Sequence, residues 1–360
     1  MFDPLRCDLC GDCLVKCPYV NYDRKKARRE VAALIAGENA DILSQCVTCI
    51  ACNEFCPTQA NPFDRISELQ EKKQALNIPQ SLIDSNYDAY YMPNIIEKGE
   101  PDKPAMSLCT MSWEAKEFSP EEPKTLRLYN SFWKGGPEKT IFEGQMFDGM
   151  TMVRGGSYFC ITGMVHIGID IGNTGRLAPH IRKLVRSLSA LGRDKVIIAH
   201  DDGYAILKVK VPEFGIELPF KPVHILEYLR DYLKEHQASI TKLNRKVAYQ
   251  RPCSSRYLPE NDLLLDEIFD LIGVERVNRR YDRKDALCCG AEYSIAQTER
   301  IKPYQEKNVA DAVEHGAEAM VFLCPMCYAI LGPKAQQKGM AAIFVSDLCR
   351  TGLGEKHFPS

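Results

Sequence analysis

Sixteen cysteines stand in this 360-residue chain, and eight of them fall into two runs of identical spacing. The first run is Cys7-x-x-Cys10-x-x-Cys13-x-x-x-Cys17-Pro18, and the second is Cys46-x-x-Cys49-x-x-Cys52-x-x-x-Cys56-Pro57. Thiolates are soft ligands, suited to zinc and to iron–sulfur clusters. Gaps of two residues let a tight loop set three thiolates around three corners of a cubane, while the fourth cysteine of such a run ligates the other cluster. That rule places Cys7, Cys10, Cys13 and Cys56 on one 4Fe–4S cluster, and Cys46, Cys49, Cys52 and Cys17 on a second. Zinc is the alternative, with four ligands per ion. It has no need of two matched runs that each end in proline.

Five further cysteines fall late in the chain: Cys253, then Cys288-Cys289-Gly290, then Cys324-Pro325-Met326-Cys327-Tyr328. Neighbouring side chains diverge, so Cys288 and Cys289 suit a larger or irregular metal centre better than an ordinary cubane. A structural zinc or free thiols would be the plainer account. Cys109, Cys160 and Cys349 remain, and buried free thiols explain them most simply.

These patterns carry a family resemblance. The paired runs resemble bacterial-type two-cluster ferredoxins, and the insert between them is closer to ferredoxin modules fused to larger reductases. Residues 246–350 resemble the CCG-domain family, which includes the disulfide-reducing subunit of heterodisulfide reductase. The resemblance implies a non-cubane 4Fe–4S cluster held by Cys253, Cys288, Cys289, Cys324 and Cys327. It also implies that the chain is similar to a fusion of the two smaller heterodisulfide reductase subunits, working in an anaerobic complex. Cys289 is then a candidate for thiol chemistry at the cluster.

An earlier stretch reads as a decayed copy of the CCG unit. Ala199-His200-Asp201-Asp202-Gly203-Tyr204 follows a strand candidate, as Leu323-Cys324-Pro325-Met326-Cys327-Tyr328 does. Ile161-Thr162-Gly163 falls where Cys288-Cys289-Gly290 would fall, and Leu128-Tyr129-Asn130-Ser131-Phe132 echoes Tyr249-Gln250-Arg251-Pro252-Cys253. His200 thus occupies a former ligand position, where an imidazole could protonate a substrate. His166 and His224 either share a metal site with His200 or are structural or solvent-bonded. Arg251 and Arg256 flank Cys253 and either hold an anionic group or form an ion pair.

The elements that position these residues follow from periodicity and punctuation. Residues 1–75 form the cysteine-dense module, with helix expected over Tyr22 to Leu43. A further helix begins at Asn61, with Pro62 at its first position and Phe63, Ile66 and Leu69 on one face. Residues 76–123 hold six of the 21 prolines and read as an irregular linker. Two α/β units follow, a degenerate one over 124–245 and the CCG unit over 246–360. Strand candidates are Lys195–Ala199, Val247–Gln250, Ala319–Leu323 and Ala342–Val345. Helices are expected around Leu177 to Leu188, closed by Gly192, and from Asn261 to Gly273. The fold class is therefore α/β: a helical two-cluster ferredoxin-like N-terminal module followed by a pseudo-twofold pair of CCG-type units with parallel sheets.

Charge and composition narrow the partners. A formal net charge of −2 gives no bulk pull toward nucleic acid. The basic run Arg24-Lys25-Lys26 with Arg28-Arg29 is bracketed by Asp23 and Glu30, so it reads as a solvated face or a docking patch for an acidic subunit. No apolar stretch approaches the roughly 18 residues of a membrane span, and the start MFDPLRCDLC lacks a signal pattern. A cytoplasmic setting is expected, either free or on the cytoplasmic face of a membrane complex. Gly168, Gly172 and Gly175 do not form a dinucleotide fingerprint, so flavin would sit on a partner redox subunit. Two functions are left open: disulfide or thiol chemistry at the CCG cluster, or electron relay for another reductase, for example one acting on an acyl-CoA.

Overall fold

The computed structural model describes residues 1–76, 94–108, 142–158 and 174–359. The readings at Cys109, 128–132, Cys160, 161–163 and His166 lie outside these residues.

The N-terminal module is a cage of short helices: α1 (Asp12–Val15), α2 (Arg24–Ala36), α3 (Ile42–Gln45), α4 (Ala51–Phe55) and α5 (Pro62–Lys72). Asp23 caps α2 by accepting a hydrogen bond from the Lys26 N–H, satisfying one of the donors a helix start leaves open. The helix expected over Tyr22 to Leu43 is broken. Gly37 ends α2 at φ 73°, a left-handed cap that glycine takes without strain, and α3 then starts a separate turn. Helix α5 begins at Pro62 and buries Phe63, Ile66 and Leu69. Ile66 and Leu69 face a small core with Leu14, Val31, Leu34 and Ile42, whereas Phe63 packs in the neighbouring cluster with Ile50 and Phe55.

Two sheets follow. The first has the order β1 (Asn94–Glu97), β3 (Thr151–Gly155), β2 (Ala105–Ser107), β4 (Lys195–Ile198), β5 (Lys221–His224). All of its pairings are parallel except β1 with β3. The second is wholly parallel, in the order β7 (Val274–Arg276), β6 (Arg245–Gln250), β8 (Ala319–Phe322), β9 (Ala341–Phe344). Leaving out the antiparallel edge strand, each sheet places its own first strand between its second and third. Among the described residues, helices follow β3, β4, β6, β7 and β8, as parallel connections require. The helix Asn261–Ile272 shows why: Leu265, Ile268 and Ile272 are fully buried against the second sheet, each worth roughly 1.5–3 kcal/mol of burial.

Residues 94–97 and 105–107 correct the expectation of an irregular linker. They are β1 and β2, and β2 lies at the centre of the first sheet. Prolines 101 and 104 punctuate the turn between them rather than dissolving the strands. Among the described residues, β2 is the first parallel strand of the first sheet.

Candidate metal centres

The two cysteine runs fold into loops of matching backbone. Leu9 and Thr48, at equivalent places in the first gap of each run, have φ of 60° and 57°. Gly11 and Ile50, at equivalent places in the second gap, have φ of 78° and 63°. A β-branched residue in the left-handed region is strained, and such strain collects at functional loops. Gly11 is closely packed: a Cβ there would lie 3.1 Å from the Ala27 Cβ and from the Arg28 backbone nitrogen, so the start of α2 would have to give by a few tenths of an ångström.

The fourth cysteine of each run crosses over. Cys56 lines one cavity together with Cys7, Cys10 and Cys13. Burial pushes the Cys13 thiol up to about 12, with Cys56, Cys10 and Cys7 adding to the rise. Cys17, in turn, raises Cys46, Cys49 and Cys52 through its nearness, on top of their burial. Backbone N–H groups point at sulfur in both sets, Thr48 to Cys46 and Ala60 to Cys56, each at 3.3 Å. Such bonds stabilise a thiolate and tune the potential of a cluster it holds.

The five late cysteines are drawn together by the ends of the second sheet. Cys253 opens a short 3-10 turn, Cys253–Tyr257, after β6. Cys324 caps the helix Pro325–Gln337 after β8, and Cys327 lies in its first turn. Cys288 and Cys289 precede the helix Ala291–Glu314, which starts after Gly290 at φ 73°. A Cβ on Gly290 would meet Ile301 at 2.1 Å, so the glycine of this motif is needed for close approach as well as for its φ. The five are free thiols that neighbour one another in the order Cys253, Cys288, Cys289, Cys327, Cys324, each raising or lowering the next. All five are buried. The Cys327 thiol and the neighbouring His200 pull Cys324 down to about 5 in spite of its burial.

The first unit closes over this chain of thiols. His200 lies beside Cys324, and its Nδ1 is 2.9 Å from Asp202 Oδ2. Asp201 Oδ1 accepts a 2.7 Å hydrogen bond from Ser255 Oγ, two residues past Cys253, and lies 3.2 Å from His224 Nε2. Burial would raise Asp201, but His224 and Ser255 hold it below the ordinary carboxylate range.

Of the two readings left open for Arg251 and Arg256, the ion pair is the one that forms, and it lies at the seam between module and CCG unit. Arg251 and Arg256 do not point at open space. Both donate to Glu54 Oε2, at 2.7 and 2.6 Å, and Glu54 sits between Cys52 and Cys56. The Cys288 N–H donates to Tyr19 Oη at 2.7 Å, and Tyr19 is two residues past Cys17. What the sequence did not indicate was the partner, Glu54, or the contact of Tyr19 with Cys288. Cys349 is fully buried in the helix Val345–Gly352. In the basic run, Arg24 pairs with Asp12 and Lys26 with Asp41.

These donor sets fit iron–sulfur centres: one cavity framed by four thiols, a second set of four of which Cys46 and Cys49 are buried and Cys17 and Cys52 partly so, and a buried row of five thiols. Among the described residues no three metal-binding side chains converge as a single ion would require. No described helix is long and apolar enough to cross a membrane.

Residues 247–332 match the family model described as a cysteine-rich domain, CCG. Over 177 residues the chain is 30% identical to one of the subunits of dihydromethanophenazine:CoB–CoM heterodisulfide reductase from Methanosarcina acetivorans, and 30% identical to the corresponding protein of Methanosarcina mazei. The Methanosarcina barkeri protein of the same description is 28% identical. Each match covers 48% of this chain and 42% of the relative, so less than half of those proteins is spanned. The resemblance to heterodisulfide reductase-type iron–sulfur subunits read from the cysteines is borne out.

Proposed function

We propose that this chain is the iron–sulfur electron-transfer subunit of an anaerobic oxidoreductase of heterodisulfide reductase type. Cys7, Cys10, Cys13 and Cys56 hold one 4Fe–4S cubane, and Cys46, Cys49, Cys52 and Cys17 hold the second. Cys253, Cys288, Cys289, Cys324 and Cys327 hold a non-cubane 4Fe–4S cluster at the meeting of a pseudo-twofold pair of α/β units. The observation that carries this reading is the continuous order of sulfur through the protein. Cys7 and Cys10 are partly exposed, the second set of four is more deeply enclosed, and Cys49 approaches Cys288 and Cys253 across Tyr19. One-electron carriers in that order lead from a partner redox subunit at the surface to the CCG site.

When bound, an irregular cluster supplies one-electron chemistry and an iron able to hold a sulfur atom. The residues around it supply the rest. Asp202 orients the His200 ring, and His200 lies on the Cys324 side of the thiol chain, placed to give a proton to a departing thiolate. Cys289 lies mid-chain. The relatives are named for reduction of the CoB–CoM heterodisulfide, and a small thiol–disulfide couple is the substrate class proposed here. A second reading has its own support: all five cysteines and His200 are buried, as a sealed relay for another reductase requires.

Protein purified anaerobically should hold about 12 irons per chain, four for each cluster. On oxidation with added thiol, a new paramagnetic signal broadened by iron-57 supports catalysis at the CCG site. A value near 8 irons would empty that site. Twelve irons with no thiol response leaves the relay.

A further inference from the structure

The seam between the second cysteine run and the CCG unit carries a buried charge that neither motif contains. Arg256 is 5% exposed. Its Nη1 donates to Glu54 Oε2 at 2.6 Å and to the Lys284 carbonyl at 2.8 Å, and its Nη2 donates to the Ala286 carbonyl at 2.6 Å. These bonds come from both sides of the seam, since Glu54 lies in the Cys52-x-x-x-Cys56 gap while residues 284 and 286 lead into Cys288. Arg256 also shares the 3-10 turn of Cys253. Tyr19, Cys49, Cys253, Leu287 and Cys288 pack in one buried cluster there, with Cys17 and Cys52 against it. Among the described residues no other charge acts on the Cys49 thiol as strongly as Arg256, and Arg256 also feels Cys253.

A guanidinium is always charged, and burial leaves its field little screened. Charge near a cluster is among the quantities that set its potential. A fixed cation stabilises the form with one more electron and so raises the potential. Glu54 offsets this, and shares its oxygen with Arg251.

We propose that Arg256, opposed by Glu54, sets the potentials of the two centres that meet at this seam, and with them the direction of electron hand-over between the second cysteine set and the CCG thiols. The electron lost by one centre is the electron gained by the other, and no atom moves between them. Arg256 is thus a positioning residue for charge, not a ligand or an acid. The inference deepens the function proposed above and rests on its cluster assignment.

The test is a redox titration of the holoprotein followed by paramagnetic resonance, with the three centres read separately. Arg256→Gln should lower the potentials of the two seam centres and leave that of the Cys7, Cys10, Cys13, Cys56 centre in place. Glu54→Gln should move the same two upward. Arg256→Lys, which keeps the charge, should retain most of the wild-type values and guards against a variant that fails to fold. Seam potentials that stay put in Glu54→Gln, that move downward in it, or that shift together with the remote centre overturn the proposal. Fewer than three centres in the unmutated protein overturns the cluster assignment instead, so the two failures are distinct.

Discussion

The two sheets run their parallel strands in the same relative order, but their strand ends carry different chemistry. In the second sheet Phe322 pairs with Gln250, and Leu323-Cys324 follows at the strand end. In the first, Ile198 pairs with Ser107, and Ala199-His200 follows. Cys324 and His200 therefore hold the same place relative to their strands, two residues past the register partner. At the same backbone position the second unit carries a thiol and the first an imidazole, and where the second has Cys327 the first has Gly203. What replaces the thiols is a set of buried acid–base pairs, His200 with Asp202 and His224 with Asp201. Those pairs reach across to Cys324 and Ser255. One unit supplies sulfur, and the other supplies a polar wall over it.

Replacing one residue at each of the two equivalent positions gives the sharpest contrast. Cys324→Ser should cost about four irons per chain, measured by metal analysis after anaerobic purification. His200→Ala should leave the iron content unchanged and, under the catalytic reading, abolish the thiol-dependent signal. Equal iron loss in both would make His200 a ligand and end the contrast. Cys17→Ser extends the test to the module: the damaged centre should be the one sharing Cys46, Cys49 and Cys52, by resonance, with the Cys7 set intact.

The first unit is also clamped to the module, by a buried ion pair. Lys210 Nζ lies 2.6 Å from Asp64 Oδ2, with both side chains almost fully enclosed, and Tyr257 donates to Asp64 Oδ1 at 2.8 Å. Removing one partner of a buried pair costs roughly 3–5 kcal/mol, so Lys210→Met should lower stability by about that much in denaturant unfolding. Burial would raise Asp64, but Lys210 holds its carboxyl below the ordinary value. A carboxyl lowered in the folded state stabilises above its unfolded value, about 3.9, and loses that contribution as pH falls through the folded one. Asp64→Asn should therefore be less stable than the native chain at neutral pH, and the gap should narrow in acid below about pH 4.

The smallest contrast lies at two helix ends. Gly192, in the first unit, and Gly273, in the second, have φ of 62° and 69°. A side chain in that region costs roughly 1–2 kcal/mol. A Cβ on Gly192 meets nothing within 4 Å, whereas one on Gly273 lies 2.7 Å from the Lys242 Cδ. Gly273→Ala should lower the melting temperature more than Gly192→Ala, by the added cost of moving Lys242. Equal shifts would mean that Lys242 swings aside freely.

Much of this was legible in the chain because the relevant relations are local. Two-residue gaps dictate a loop that presents three thiols together, whatever surrounds it. Apolar residues three and four apart dictate the buried faces of α5 and of the helix ending at Gly273. A strand followed by His200 or by Cys324 could be aligned from a handful of residues. Strand β2 was not legible, because three residues carry no periodicity; it becomes a strand only because β3 and β4 offer hydrogen bonds on both sides. The seam was decided by the tertiary structure alone. Glu54 meets Arg251 and Arg256 across separations of 197 and 202 residues, and Tyr19 meets Cys288 across 269. An ion pair between residues so far apart leaves no spacing to read, since the forces that join them act only after the module has folded onto the sheet.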